Sequence, residues 1–178
     1  MKNYLITGPP RCGKTTLILK ISQVDSLSDN ISGFITEEVR EKGERIGFKL
    51  ISLSDKKEGF LAKKGFPSPY RVGRYGVNIE DLEDIGCSAI EKGLHSGAVI
   101  LVDEIGKMEL FSAKFKKKLL EALDSPQKVL ASIMERNSDF VDRIKRRSDV
   151  KLARLHRGNF EQVFKEVKEW ITQETSSI

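Results

Sequence analysis

The chain has 178 residues, 39% apolar and 32% charged, and its 31 basic and 26 acidic side chains leave a net charge of +5. That length suits one domain with a substantial core, and no run approaches the roughly 20 apolar residues that a membrane-crossing helix needs. Two scattered cysteines (Cys12, Cys87) and two isolated histidines (His95, His156) argue against a disulfide scaffold and a zinc site, while the mild positive charge suits anionic ligands without pointing to nucleic acid.

In chain order, the apolar run Tyr4-Leu5-Ile6 predicts a buried strand, and nothing about it has the shape of a signal peptide, so a cytoplasmic location is expected. Next comes Gly8-Pro9-Pro10-Arg11-Cys12-Gly13-Lys14-Thr15-Thr16, followed by a predicted helix from about Lys14 to Val24 with Leu17, Ile18, Ile21 and Val24 on one face. Ser26 to Asn30 reads as a loop. Ile31 to Arg40 and Arg45 to Leu53 alternate and are rich in β-branched and aromatic residues, which predicts a hairpin closed at Glu41-Lys42-Gly43-Glu44. A hairpin is antiparallel, so it either extends the main sheet at an edge or stands out as an insertion.

Residues 54–77 are punctuated by Lys63-Lys64-Gly65 and Pro67-Ser68-Pro69 into short strands and turns. Within them, Tyr70 to Val77 reads either as a loop over a nucleotide, with Tyr75 on a base or Arg74 on phosphate, or as an ordinary edge strand. Asn78 is placed to cap a helix reaching about His95, with Leu82, Ile85, Ala89, Ile90 and Leu94 buried. Ala98-Val99-Ile100-Leu101-Val102 is apolar without alternation, the pattern of a central strand covered on both faces. A helix over about Ser112–Leu123 follows, with Phe115, Leu119 and Leu123 inward and Lys114, Lys116, Lys117 and Lys118 as a solvated face. A strand at Gln127–Met134, a short helix within Asn137–Arg147, a strand at Val150–Leu155 and a helix at Asn159–Ile171 complete the pattern, with a fraying tail at Thr172–Ile178. Strands alternating with helices predict an α/β fold: a mostly parallel sheet with helices on both faces and an antiparallel hairpin near residues 31–53.

The Gly8 to Thr15 spacing is that of a phosphate-binding loop between a strand and a helix. Backbone N–H groups wrap a polyphosphate closely there, and the helix that follows turns its positive dipole end to the same anion. Lys14 is the residue expected to reach the β and γ phosphates, and the Thr15 hydroxyl is an expected magnesium ligand together with Asp103, which ends the central strand. Glu104 is placed to polarise an attacking water, and the Gly106 N–H to meet the γ phosphate. No Asn/Thr-Lys-x-Asp guanine-reading motif occurs, so broad tolerance among ATP, GTP, CTP and UTP is expected.

With these residues in view, the chain resembles the nucleoside-triphosphatase family known from thermophilic microbes and, in vertebrates, as cancer-related nucleoside triphosphatase. The resemblance is carried by Thr7-Gly8-Pro9-Pro10 with Gly13 to Leu17, by Gly33 to Arg40, by Val72 to Val77, and most specifically by Asp103-Glu104-Ile105-Gly106-Lys107-Met108-Glu109-Leu110. It implies a RecA-like P-loop NTPase fold, a three-layer sandwich, and magnesium-dependent hydrolysis of nucleoside triphosphates to diphosphate and phosphate. Arg11 departs from the family, standing where many of its loops carry glycine, and the backbone cradle is expected to tolerate it. A monomer is expected, and a nucleic-acid partner is not. Two other readings stay open. A small nucleotide or nucleoside kinase would use Glu104 to activate a hydroxyl and residues 136–147 as a lid. A nucleic-acid-dependent ATPase module would use the lysine cluster with Tyr70 and Tyr75. Arg136, Arg143, Arg146 and Arg147 are unranked candidates for an arginine that stabilises the transferring phosphate.

Overall fold

The computed structural model describes residues 1–173, the side chains of Ser28 and Asp29 excepted, so the expected fraying from residue 174 onward lies outside the described residues. The strands are β1 (Asn3–Thr7), β2 (Ile31–Glu41), β3 (Glu44–Ser52), β4 (Glu58–Lys64), β5 (Arg71–Val72), β6 (Tyr75–Val77), β7 (Val99–Ile105), β8 (Val129–Ile133) and β9 (Val150–Arg154). They form one sheet in the order β5-β6-β4-β3-β2-β7-β8-β1-β9. From β2 to β9 the neighbours run parallel, and from β2 to β5 they run antiparallel.

Because strand side chains alternate in direction, each buried strand feeds two cores. Tyr4, Ile6, Leu101 and Leu130 face α1 (Lys14–Ser22) and α6 (Phe160–Thr172), where Leu17, Ile18, Ile21, Val163, Val167 and Ile171 meet them. Leu5, Ile100, Val102, Val129 and Ala131 face the opposite helices. These begin with α2 (Ile79–Asp81), which runs through a π turn at Leu82–Cys87 into α3 (Ser88–Ser96), and continue with α4 (Ala113–Asp124) and α5 (Asp139–Lys145). The result is the expected three layers. No helix among the described residues is long and apolar enough to cross a membrane.

Helix starts follow their capping residues. Asn78 accepts from the Asp81 N–H at 3.2 Å, Ser112 from the Phe115 N–H at 2.9 Å, and Ser138 from the Val141 N–H at 3.4 Å. The first helix stops at Ser22, short of the expected Val24, and the expected loop at Ser26–Asn30 lies within a 3₁₀ turn over Asp25–Asn30. The hairpin extends the sheet rather than leaving it. Its two-residue turn holds Lys42 at φ 48° and Gly43 at φ 81°, both left-handed, as the twist of a tight hairpin requires. The sequence of 54–77 conceals three more strands, β4 to β6, two of them too short to show any period.

Leu101 is fully buried in β7 against α1. Leu101→Ala is expected to destabilise the fold by about 2–5 kcal/mol, read as a lower denaturant midpoint at unchanged m-value.

Candidate functional site

The site forms at the C-terminal ends of the parallel strands, where ligands of open α/β sheets gather. The turn after β1 closes at Gly8, whose φ is 154°. A methyl group added there would stand 2.3 Å from the Leu155 carbonyl oxygen and 2.9 Å from Cys12 Sγ, so only glycine fits. Arg11 sits at φ 64°, the left-handed conformation that costs a residue with a Cβ roughly 1–2 kcal/mol. That geometry is why glycine would suit the position. Here the loop keeps its path with arginine in place. Cys12 is buried in the core beside Leu155 and is a free thiol, an accommodated small side chain within the loop.

Lys14 follows at the start of α1. Its Nζ donates to the carbonyls of Gly8 at 2.9 Å and Pro9 at 3.2 Å, which brings the ammonium across the mouth of the loop. Thr15 reaches over to hydrogen-bond Asp103.

Asp103 and Glu104 occupy an irregularity in the β7–β8 ladder. Val102 pairs with Ala131 and Ile105 with Ile133, so two residues of β7 oppose the single Ser132. Such a bulge re-aims side chains beside a site. Asp103 is 1% exposed. Its carboxylate accepts from Ser132 Oγ at 2.7 Å and Thr36 Oγ1 at 3.3 Å, besides Thr15. Burial nonetheless pushes its pKa up, against the pull of those three hydroxyls. Glu104 is partly buried, and its pKa is also raised by desolvation, with Lys14 acting against the shift and Asp103 adding to it. Glu109 completes a cluster of three carboxyls. It is 4% exposed, and burial, with help from Glu104 and Asp103, pushes it up to about 8. The Gly106 backbone faces the Glu109 carboxyl and pulls its pKa down, against the effect of burial.

A cavity of about 430 Å³ opens over these groups, lined by Gly8, Pro10, Lys14, Thr36, Glu104 and Glu109 among others. A larger open pocket of about 750 Å³, lined by Asn30, Lys92 and His95, lies at the opposite, N-terminal end of the strands and holds none of the site residues.

Sequence reasoning missed three contributors. Thr36 lies in a stretch singled out as a whole, Ser132 is the one polar residue of apolar β8, and Glu109 closes the Asp103 motif. A polar side chain inside an unbroken apolar strand was the available signal for Ser132.

The reading of Tyr75 and Arg74 as nucleotide contacts is corrected. Tyr75 is 6% exposed and its hydroxyl pairs with Arg45, while Arg74 pairs with Glu44 at 2.6 Å, so the segment is an edge hairpin. Of that hairpin Val72 reaches the cavity. Among the four arginines, Arg136 lines the cavity. Arg147 is held by Asp124 at 2.7 Å and Asp149 at 2.9 Å, beside the start of β9 and away from the loop. Within residues 136–147, a lid under the kinase reading, Val141 and Ile144 pack into the core.

The fold and this site define a nucleotide-binding α/β protein of the P-loop kind. The family model described as NTPase matches residues 3–168. The nucleoside-triphosphatase THEP1 of Thermotoga maritima is 48% identical over 163 residues, covering 92% of this chain and 91% of the relative. That of Methanocaldococcus jannaschii is 38% identical, with 91% and 92% covered. Two solved structures share the fold. THEP1 from the hyperthermophile Aquifex aeolicus superposes at a TM-score of 0.86 with 34% identity, covering 96% of this chain and 99% of that one. A human cancer-related nucleoside triphosphatase gives 0.82 with 32% identity over the whole of both chains. The chain belongs to the NTPase family.

The Glu109 shift has a testable consequence. The fold favours the neutral acid, so stability present below the ordinary carboxylate pKa is lost as pH rises through about 8. Without divalent metal, the parent is expected to lose more than about 1 kcal/mol relative to Glu109→Gln between about pH 5 and pH 9, measured by denaturant unfolding.

Proposed function

We propose that the protein hydrolyses nucleoside triphosphates to the diphosphate and phosphate, with magnesium and with little regard for the base. The observation that carries this reading is the convergence of Lys14, Thr15, Asp103 and Glu104 at one end of the parallel strands. The relatives' names as nucleoside-triphosphatases agree with it.

In this reading the backbone from Gly8 to Thr16, with Pro9, Pro10, Arg11, Cys12 and Gly13, wraps the phosphates, and the N-terminus of α1 faces the same anion. Lys14 leaves its loop carbonyls to neutralise charge developing on the β and γ phosphates. Glu104 holds the attacking water and accepts its proton, and its raised pKa brings it closer to the basicity useful near neutral pH. Asp103 and Thr15 fit a magnesium ion: a desolvated carboxylate with hydroxyls around it is a hard-oxygen donor set whose charge is costly to bury alone. Held by Thr15 and Asp103, magnesium would offset the charge of the phosphates. The absence of a guanine-reading motif supports use of ATP, GTP, CTP and UTP alike. The same reading has the chain acting as one domain and a monomer in the cytoplasm, without a nucleic-acid partner.

Glu104→Gln should bind ATP normally yet release phosphate about a hundredfold or more slowly. Equal rates for parent and variant at saturating ATP and magnesium would falsify the assignment. Phosphate release compared across the four nucleoside triphosphates, with and without magnesium, tests the rest.

A further inference from the structure

The cavity of about 430 Å³ has more in its lining than a polyphosphate and an attacking water would touch. Its lining includes Lys14 and Glu104 but neither Thr15 nor Thr16, which places it on the γ-phosphate side of the loop. Beyond Glu104 its walls are apolar: Phe48 from β3, Leu61 from β4, Val72 from β5, and Met108 and Met134 from the turns after β7 and β8. The antiparallel extension therefore supplies much of a compartment beside the reacting phosphorus that the phosphate-binding loop does not itself need.

This compartment has its own way out. Val72, Lys107 and Met134 also line an adjoining groove of about 610 Å³, which continues past Phe111 and Phe140. The cavity and the groove therefore meet at the three side chains they share. The approach is basic on balance: Lys107 stands at the junction, Arg136 on the inner side, and Arg71 and Lys116 beyond, against Asp139 and Glu135, the latter paired with Arg154 at 2.7 Å. At the inner end Asp103, Glu104 and Glu109 crowd together beside Lys14.

We propose that this compartment is an acceptor site, in which a nucleoside monophosphate takes the γ-phosphoryl group on a free ribose hydroxyl. The proposal rests on the hydrolytic reading of the same site. Its chemistry follows from the lining. Glu104 in the lining can take up a proton, which a hydroxyl carries and an ionised phosphate oxygen does not, so a hydroxyl is the attacking group it can serve. Apolar walls suit a flat base and a sugar, and the basic approach suits a phosphate held away from the reacting end. In the step, the hydroxyl oxygen bonds to the γ phosphorus as the bond from that phosphorus to the β–γ bridging oxygen breaks. The hydroxyl proton passes to Glu104, and the electron pair leaves with the nucleoside diphosphate. The product is a second phosphate monoester on the ribose.

The test supplies ATP labelled at the γ phosphate, with magnesium, to the full chain together with the nucleoside 3′-monophosphates, the 5′-monophosphates or the unphosphorylated nucleosides, and separates the labelled products. The proposal expects labelled nucleoside bisphosphate, with the unphosphorylated nucleosides accepting about tenfold less well. Lys107→Gln should lower the ratio of transfer to hydrolysis by about tenfold, and Val72→Trp, which narrows the junction, should do the same. Both ratios are read on protein whose circular dichroism and unfolding midpoint match the parent. Label found only in free phosphate with every acceptor overturns the acceptor site and leaves hydrolysis standing, whereas no release of label at all overturns hydrolysis itself. Label attached to the existing phosphate, giving a diphosphate, overturns the role of a hydroxyl and of Glu104 as its base. A ratio unmoved by either variant overturns the placement of the acceptor in this compartment.

Discussion

The constraint on which the site depends is the burial of Asp103. A carboxylate almost wholly removed from water must be compensated, and this one is met by hydroxyls from three separate segments: Thr15 on α1, Thr36 on β2 and Ser132 on β8. Those bonds tie the phosphate-binding loop, the central strands and the start of the antiparallel ribbon to one atom group. The side-chain partners of Asp103 are hydroxyls rather than cations. Burial still lifts the carboxylate's pKa. The same crowding explains Glu104 and Glu109, whose shifts have desolvation as their first cause and neighbouring carboxyls as another. A cluster of acids held this way has an affinity for cationic and proton-donating partners built into its position.

Most of the parallel half was legible in the residues. Val99 to Val102 has no alternation because both of its faces are covered, by α1 on one side and by α3 on the other. Phe115, Leu119 and Leu123 show a period because one face of α4 is wet. Asn78, Ser112 and Ser138 mark helix starts because their side chains replace missing backbone acceptors. The antiparallel half was legible only as far as its first hairpin. β5 and β6 hold two and three residues, too few for a period; β6 is held by β4, from further back in the sequence, and β5 by β6.

The site divides in the same way. Lys14, Thr15, Asp103 and Glu104 stand out in the sequence by motif spacing, and the fold brings them together. Thr36 and Ser132 do not stand out, because their nearness to Asp103 is set by strand order, which local spacing does not carry. For Tyr75, of the two readings left open, the edge strand is the one the structure has. An aromatic beside arginines looks like a base-stacking platform in sequence, and in space it is the interior of an edge hairpin, with its hydroxyl on Arg45.

β2 changes partners partway along its length. From Ile31 to Phe34 it is bonded to β7, and from Phe34 to Glu41 it is bonded to β3, with no β7 partner past Phe34. Mechanically this is a cantilever, clamped at its root in the parallel sheet and loaded along one edge by the ribbon. Thr36 sits just beyond the clamp and is bonded to Asp103. Bending of the beam there would move Phe48 and Leu61 as a body while the parallel ladder stays intact, so the stiffness of a few residues at the root governs how far the far wall stands from the loop.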